Sequence, residues 1–192
     1  RFPWSEVFHS TLAFGLGHIV KDGLRRMYGE NPEDVFFYPT VYNEPIVQPK
    51  EPDDVDAEGI LRGIYSVSKG EGNGPRVQLL GSGVGFPWVL DAARLLREDW
   101  GVAADTWSVT SWNELARDAV SAEEWNLLNP SESPRTAYVS DKLADAAGPV
   151  VAVSDYMCAV PLQIARWVPG DYRVLGTDGF GFADTRPAAR RA

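Results

Sequence analysis

Apolar residues recur every three or four positions between residues 16 and 28, and Gly29 follows them. This spacing places the apolar side chains on one face of a helix, and glycine commonly ends a helix, so we predict a helix over residues 16–28. Residues 35–42 form a run of aromatic and β-branched side chains, which predicts a strand. Because proline cannot donate a hydrogen bond to a neighbouring strand, Pro39 indicates an edge strand or a bulge.

A proline-rich, acidic connection follows this predicted strand. Pro45, Pro49 and Pro52 lie within residues 43–56, together with a run of acidic side chains. A segment of this composition is stiff and well solvated. We therefore predict a domain boundary there, which separates residues 1–42 from a domain over residues 57–192.

Short apolar runs and helical patterns alternate after this connection. We predict strands over residues 76–80, 105–110, 150–153 and 172–175, and helices over residues 57–65, 84–100, 137–147 and 159–168, with a further helix that begins at Ser111. Short strands separated by helices require crossover connections, so the pattern predicts an α/β domain with a mainly parallel sheet covered on both faces.

Two capping boxes stand in the middle of the chain. Ser111 is followed by Glu114, and Ser121 is followed by Glu124, each pair three residues apart. In such a box the hydroxyl accepts a hydrogen bond from the first helical turn, and the carboxylate reaches back to the capping residue. The sequence thus predicts two helix starts, one at each serine.

The composition excludes several classes of partner. The chain has 192 residues, is 44% hydrophobic and carries a formal net charge of -9, so it can bury a core but lacks the basic surface that nucleic acids or anionic membranes require. Cys158 is the one cysteine, which rules out an intramolecular disulfide and favours the cytoplasm. No apolar run approaches the roughly 20 residues of a membrane span. Both ends of the sequence look cut, so we expect a piece of a longer polypeptide.

A glycine-rich turn stands where a predicted strand meets a predicted helix, over residues 81–85. Its backbone amides and the helix N-terminus could cradle a phosphate. However, Phe86 occupies the position of the third glycine in the dinucleotide-binding pattern, and the next strand ends in Thr110 and Ser111 instead of an acid. A tight strand-to-helix turn explains the same residues, and both interpretations stay open.

The residues that could carry chemistry do not form a recognisable active site. His9 and His18 are the two histidines, and their separation does not suit a metal site on one helical face. His18 is better explained as a packed or interface residue, and the segment around His9 has no predicted structure. Cys158 lacks a predicted base, so we expect an ordinary thiol. We predict no catalytic, cofactor-binding or metal-binding residue.

A second glycine-rich stretch, Leu175–Arg186, follows the last predicted strand. The carboxyl ends of strands in open α/β sheets are where ligands and neighbouring domains meet. With no cofactor motif nearby, we predict that this stretch contacts a neighbouring domain or subunit. The candidate interface residues are Asp178, Phe180, Asp184 and His18.

Several short segments, taken in order, resemble the C-terminal part of the homodimeric first component of bacterial pyruvate dehydrogenase complexes. Some of these segments resemble the sequences of actinobacterial members. Each segment alone is weak, but the ordered set is specific. The matching segments are DGLRRMYG (22–29), VFFY (35–38), YNE (42–44), GIY (63–65), VQLLGSG (77–83), WSVTS (107–111), ELARD (114–118), WN (125–126), SDYM (154–157) and YRVLGTDGFG (172–181). Residues 1–15 do not match the family pattern.

This resemblance implies a three-layer α/β/α domain with a five-stranded, mostly parallel sheet, like the C-terminal domain of transketolase-type enzymes and truncated at both ends. Residues 1–42 would be the tail of a preceding pyrimidine-binding domain, and residues 43–56 a linker. The family decarboxylates pyruvate on thiamine diphosphate with magnesium and reductively acetylates a lipoyl group of the dihydrolipoyl acetyltransferase core. Both cofactors would be held by earlier domains, and this part would pack the homodimer.

Two other functions fit the residues. A free-standing α/β nucleotide-binding module would use the glycine turn at residues 81–85, and a purely structural domain would bind the acyltransferase without any catalytic chain.

Overall fold

The computed structural model describes residues 4–42 and 47–179, and a small parallel sheet opens the described chain. Strand β1 (Trp4–Phe8) pairs in parallel with β2 (Val35–Pro39), and helix α1 (Ala13–Tyr28) connects them. Gly23 of α1 lies so close to the ring of Phe37 that an added Cβ would come within 3.0 Å of it, so helix and sheet pack tightly. We call residues 4–42 the N-terminal unit.

A second sheet of five strands forms the centre of residues 57–179, which we call the sheet unit. The strand order is β3-β5-β4-β6-β7, and every pair is parallel except the antiparallel pair of β3 and β5. This confirms the expected five-stranded, mostly parallel sheet. The strands are β3 (Ile64–Ser68), β4 (Arg76–Gly81), β5 (Ala103–Val109), β6 (Val150–Val153) and β7 (Tyr172–Leu175).

Helices cover both faces of the larger sheet, which gives the three layers that the resemblance implied. Val89 of one helix packs against Val77 and Leu79 on the first face, while Trp112 and Leu115 of another belong to the core on the opposite face. The helices are α2 (Ala57–Arg62), α3 (Gly85–Trp100), α4 (Trp112–Leu128), α5 (Tyr138–Leu143) and α6 (Ala159–Leu162), with a 3₁₀ turn at Ala165–Trp167.

The helix predicted over residues 57–65 is wrong in its last three residues. Helix α2 ends at Arg62, and Gly63 adopts a positive φ of 105°, a conformation that side chains disfavour. Ile64 then pairs with Val109 as the first residue of β3. The glycine therefore turns the chain from a helix into an edge strand that the sequence pattern did not separate from it.

The second predicted helix start, at Ser121, is also wrong. Helix α4 runs without a break through this position to Leu128, because Leu115, Ala119 and Ala122 form one continuous buried face. Two predicted helices are shorter than expected: α5 covers six residues of 137–147, and the segment 159–168 divides into α6 and the 3₁₀ turn.

A closed hydrogen-bond network holds β4 and β5 together near their amino ends. The fully buried Gln78 donates through Nε2 to Asp105 at 3.1 Å, and its Oε1 accepts from Trp107 Nε1 at 2.8 Å. Asp105 also accepts from Arg76 and from the backbone of Gly70. Because each of these buried groups has a partner, the network fixes this end of the sheet.

Candidate functional site

The carboxyl edge of the larger sheet is closed by the N-terminal unit. The backbone N–H of His9 donates to the carbonyl of Thr110 at 2.6 Å, and the N–H of Gly83 donates to the carbonyl of His9 at 3.2 Å. Ser111 donates through its hydroxyl to the carbonyl of Val7. The edge at which α/β folds usually bind ligands is thus an interface between two parts of this chain, and we treat this junction as the candidate site.

The glycine turn at residues 81–85 lies inside the junction. Its backbone amides donate within the chain: Ser82 to Val153 at 3.1 Å, Gly83 to His9, and Gly85 to Ser82 at 3.0 Å. Gly83 has a positive φ of 53°, and a Cβ there would collide with the hydroxyl of Tyr42. Because these three N–H groups already donate within the chain, they are not available to bind a phosphate. The structure therefore favours the tight strand-to-helix turn over the phosphate cradle.

Buried hydroxyl groups continue this polar arrangement beneath the turn. Trp112 donates through Nε1 to the hydroxyl of Ser82 at 3.0 Å, and Ser82 donates to the hydroxyl of Ser154 at 3.1 Å. The backbone N–H of Tyr156 donates to Ser154 at 3.2 Å. The chain of bonds ties β4, α4 and the segment after β6 together directly below the junction.

His9 is the central side chain on one side of the junction. It is 5% exposed, and its Nδ1 lies 3.0 Å from the hydroxyl oxygen of Thr40 and 3.2 Å from that of Tyr156. The His9 and Tyr156 rings pack with centroids 4.6 Å apart. Burial lowers the pKa of His9, and the nearby charge of Asp155 opposes this only in part. The imidazole therefore favours its neutral form here.

Asp155 extends the same cluster toward the end of the N-terminal unit. Its Oδ2 accepts from the hydroxyl of Tyr42 at 3.0 Å. Burial, followed by the charge and hydrogen bond of Asp155, raises the pKa of Tyr42. Among the described residues, the buried Oδ1 of Asp155 has no hydrogen-bond partner. This carboxylate thus joins the two units through one oxygen only.

A charged cluster occupies the other side of the junction. Glu6 of β1 is 3% exposed, and its Oε1 accepts from Arg26 of α1 and from Arg117 of α4, each at 3.1 Å. Arg117 donates with its other terminal nitrogen to Glu114 and to the carbonyl of Ser5. The guanidinium of Arg117 is therefore the bridge between α4 and β1.

Glu114 uses only half of the predicted capping box. Its backbone N–H donates to the hydroxyl of Ser111 at 3.1 Å, as predicted. Its carboxylate turns instead to Arg117 and Glu6, and the backbone N–H of Ser111 donates to the carbonyl of Gly63. The side chain of Glu114 thus contacts residues at the junction and does not cap the helix.

The buried Glu6 and the partly buried Glu114 have opposite pKa shifts. Burial, and then the hydrogen bond and charge of Glu6, raise the pKa of Glu114 far above its usual range. Burial also disfavours the charged form of Glu6, but the hydrogen bond from Glu114 and the charges of Arg117 and Arg26 outweigh it and lower the Glu6 pKa. The pair thus favours holding one proton between its two carboxyl groups, with Glu6 favouring the charged form and Glu114 the neutral form.

The predicted interface residues lie outside this junction. Asp178 is exposed and accepts a hydrogen bond from the backbone of Cys158 at 2.9 Å. This hydrogen-bonded carboxylate raises the pKa of the Cys158 thiol. His18 lies on α1, with Nε2 2.7 Å from Glu51. Their role at an interface stays a prediction, and Phe180 and Asp184 lie outside the described residues.

Sequence reasoning missed the residues that meet at the junction. The sequence predicts no structure for the segment around His9, and it identifies neither Glu6 nor Tyr156 as a candidate site residue. Within residues 4–42 and 47–179, no three His, Cys, Asp or Glu side chains form a group that could hold a metal ion. No helix in the same part of the chain is both long and apolar enough to cross a membrane. The arrangement supports docking between two units.

Comparison with known protein families gives one match that covers most of the sheet unit. The model of the transketolase-like C-terminal domain matches residues 63–192. Over 190 residues the chain is 55% identical to the pyruvate dehydrogenase E1 component of Mycolicibacterium smegmatis, and over 187 residues it is 50% identical to that of Corynebacterium glutamicum. These alignments cover 98% and 97% of this chain but 20% of each relative. The chain thus spans about a fifth of the length of these curated relatives.

Solved structures share the fold at low sequence identity. A transketolase from Pichia stipitis superimposes with a TM-score of 0.56 and 15% identity, covering 97% of this chain and 22% of that one. A transketolase from Campylobacter jejuni gives a TM-score of 0.51 and 20% identity, covering 91% of this chain and 22% of that one. At such identities the likeness establishes the fold alone.

Proposed function

Because the chain belongs to the family of transketolase-like C-terminal domains, we propose that it serves as the C-terminal domain of a pyruvate dehydrogenase first component. The observation that carries this proposal is the 55% identity to the Mycolicibacterium smegmatis protein over 98% of the chain. An identity of this size along nearly the whole chain goes far beyond a shared fold.

The activity of the whole enzyme follows as part of the proposal. It decarboxylates pyruvate on thiamine diphosphate with magnesium, and it reductively acetylates a lipoyl group of the dihydrolipoyl acetyltransferase core. We assign the enzyme to the cytoplasm and expect a homodimer within a multienzyme complex. The relatives are each named as a component, which agrees with such an assembly.

The described residues offer no fit to the cofactor. The amides of the turn at residues 81–85 donate within the chain, and the described ranges contain no acidic, histidine or cysteine cluster for magnesium. We therefore propose no catalytic role for the described residues. That the cofactors bind to other domains stays a prediction from the resemblance.

The role that we assign to this chain is to hold domains together. Supporting this role, the junction joins the two units through backbone bonds at His9 and through the bridge of Arg117. We further propose that residues 1–42 belong to a preceding pyrimidine-binding domain. A two-stranded parallel sheet is too small to be stable alone, and Phe36 and Tyr38 are 45% and 61% exposed on its strand β2, as expected of a fragment of a larger sheet.

A chimeric enzyme tests the proposed function. This chain would replace the matching 190 residues of the Mycolicibacterium smegmatis protein, and pyruvate-dependent release of carbon dioxide would be measured. We expect a soluble chimera with activity within about tenfold of the parent, since the chemistry lies elsewhere. A chimera that folds and assembles but releases no carbon dioxide would refute the proposal. The parent enzyme lacking the same residues is the negative control.

A further inference from the structure

We propose that Glu6 of β1 and Glu114 of α4 share one proton across the junction, and that losing this proton as pH rises weakens docking of the N-terminal unit on the sheet unit. The proposal goes beyond a packing role, because it makes the strength of the junction depend on pH.

The geometry places two carboxyl groups against one cation. The side chains of Glu6 and Glu114 are 4% and 16% exposed, and both accept hydrogen bonds from the fork of Arg117. Two carboxylates brought this close in a buried site repel each other unless one of them is protonated. A single guanidinium neutralises one negative charge, so the second carboxyl group favours its neutral form.

The remaining charges around the pair do not supply the missing cation. Arg26 of α1 also serves Asp22, at 3.9 Å, and Glu33, at 2.8 Å, in addition to Glu6. Arg62 of α2 lines the same groove of α4 as Glu114, but it pairs with Glu58 and Asp118. Around the pair of Glu6 on β1 and Glu114 on α4, the charged groups are thus Asp22 and Arg26 on α1, Glu33 after α1, Arg62 on α2, and Arg117 and Asp118 on α4.

The direction of the pH effect follows from the raised pKa of Glu114. In the undocked state its carboxyl group is exposed and has an ordinary pKa, near 4.3, so the docked state binds the proton more tightly. The contribution of this proton to docking is therefore complete below the ordinary value and is lost as pH rises toward the raised one, whereas the lowered pKa of His9 weakens docking below about pH 6.5. The lowered pKa of Glu6 has the opposite effect, but only in acid, so it does not cancel the loss at neutral pH.

Hydrogen exchange of the full chain tests this inference. The backbone amides of His9 and Gly83 donate across the junction, so their protection reports docking. After correction for the intrinsic exchange rate, we expect this protection to fall by up to about tenfold per pH unit between about pH 7 and pH 8, above the range in which His9 titrates. Amides within β5 serve as internal controls, whose protection stays constant.

The Glu114→Gln variant mimics the protonated group permanently. We expect its protection at His9 and Gly83 to be independent of pH over the same range, and at alkaline pH to exceed that of the unaltered protein. The matched control is Glu124→Gln, an exposed glutamate ten positions further along the same helix, which keeps the original pH dependence. The inference would be overturned if the protection of these amides did not change with pH in the unaltered protein. It would also be overturned if that protection changed equally with pH in the unaltered protein and in Glu114→Gln.

Infrared spectroscopy checks the proton directly and does not depend on any variant being stable. The carbonyl stretch of a neutral carboxylic acid is distinct from that of a carboxylate. We expect one protonated glutamate at neutral pH that disappears in alkali and is missing in Glu114→Gln. If no neutral carboxyl group is found at neutral pH, the two glutamates do not share a proton.

Discussion

The Nδ1 atom of His9 lies 3.2 Å from the hydroxyl oxygen of Tyr156, although 147 positions separate them along the chain. The two rings also stack at a tilt, with centroids 4.6 Å apart. One residue follows β1 and the other follows β6, so this contact is one of those that join the N-terminal unit to the larger sheet. The contribution of this contact to the free energy of unfolding can be measured by removing the hydroxyl of Tyr156 or the imidazole of His9.

We expect Tyr156→Phe to lower the free energy of unfolding by about 1 kcal/mol, because it removes one hydrogen bond and keeps the ring. His9→Ala should cost roughly 2–4 kcal/mol, since it also empties a buried site and leaves two hydroxyl groups without their partner. Urea unfolding measures both values. As a control, His18→Ala removes an exposed contact with Glu51 and should change stability by less than about 0.5 kcal/mol. Equal effects of the two histidine substitutions would contradict this prediction.

The lowered pKa of His9 predicts an acid-sensitive junction. An unfolded chain protonates this histidine near pH 6.5, more readily than the folded one, so folding loses stability as pH falls below about 6.5. We expect His9→Gln to lack this loss, so that the stability difference between the two proteins narrows between about pH 7 and pH 5. Unfolding curves across this range measure the difference. A constant difference would show that His9 titrates normally.

Gly83 and Gly17 form a matched pair for testing the glycine turn. Gly83→Ala places a side chain at a φ of 53° against Tyr42, and we expect a loss of roughly 1–3 kcal/mol from backbone strain alone. Gly17→Ala lies on α1 with open space around the new Cβ, so it should stabilise the protein by about 0.5–1 kcal/mol. Thermal or urea unfolding measures whether each substitution raises or lowers the free energy of unfolding. Stabilisation at both positions would mean that the turn is not constrained.

The isolated chain should have no pyruvate decarboxylase activity. With thiamine diphosphate and magnesium added, we expect no release of carbon dioxide from labelled pyruvate above background, because the described residues provide no site for either. The pyruvate dehydrogenase of Mycolicibacterium smegmatis, assayed in parallel, gives the positive signal. Catalytic turnover by the isolated 192 residues would place the active site in this chain and refute the assigned role.

The sequence predicted most of the larger sheet but missed its edge. Four of the five strands follow from short runs rich in apolar and β-branched residues, because strands buried in a parallel sheet are mostly apolar. Strand β3 was missed because Ile64 and Tyr65 continue the apolar pattern of α2, and only the conformation of Gly63 separates the two. Helix α4 was divided at Ser121 because the local capping pattern is the same whether or not the helix continues.

The junction could not have been predicted from local patterns. Glu6, His9 and Tyr156 carry no motif, and they become a site only because β1 is brought against the ends of the larger sheet. The sequence identifies Glu114 as a capping residue, which its backbone confirms, yet its side chain binds Arg117, whose contact with Glu6 of β1 spans 111 positions. Long-range packing decided the role of each side chain.

Closure of the sheet edge by the N-terminal unit also has a consequence for the timing of folding. His9 is synthesised long before Tyr156, and at typical rates of translation the interval between them is about 7 to 30 s. Throughout this interval the ring of His9 lacks its contact with Tyr156, and until Thr110 has been made the backbone N–H of His9 also lacks its final partner. During this interval the N-terminal unit of a newly made chain is exposed to chaperones or to wrong partners. The contact between His9 and Tyr156 forms only after β6 has been made.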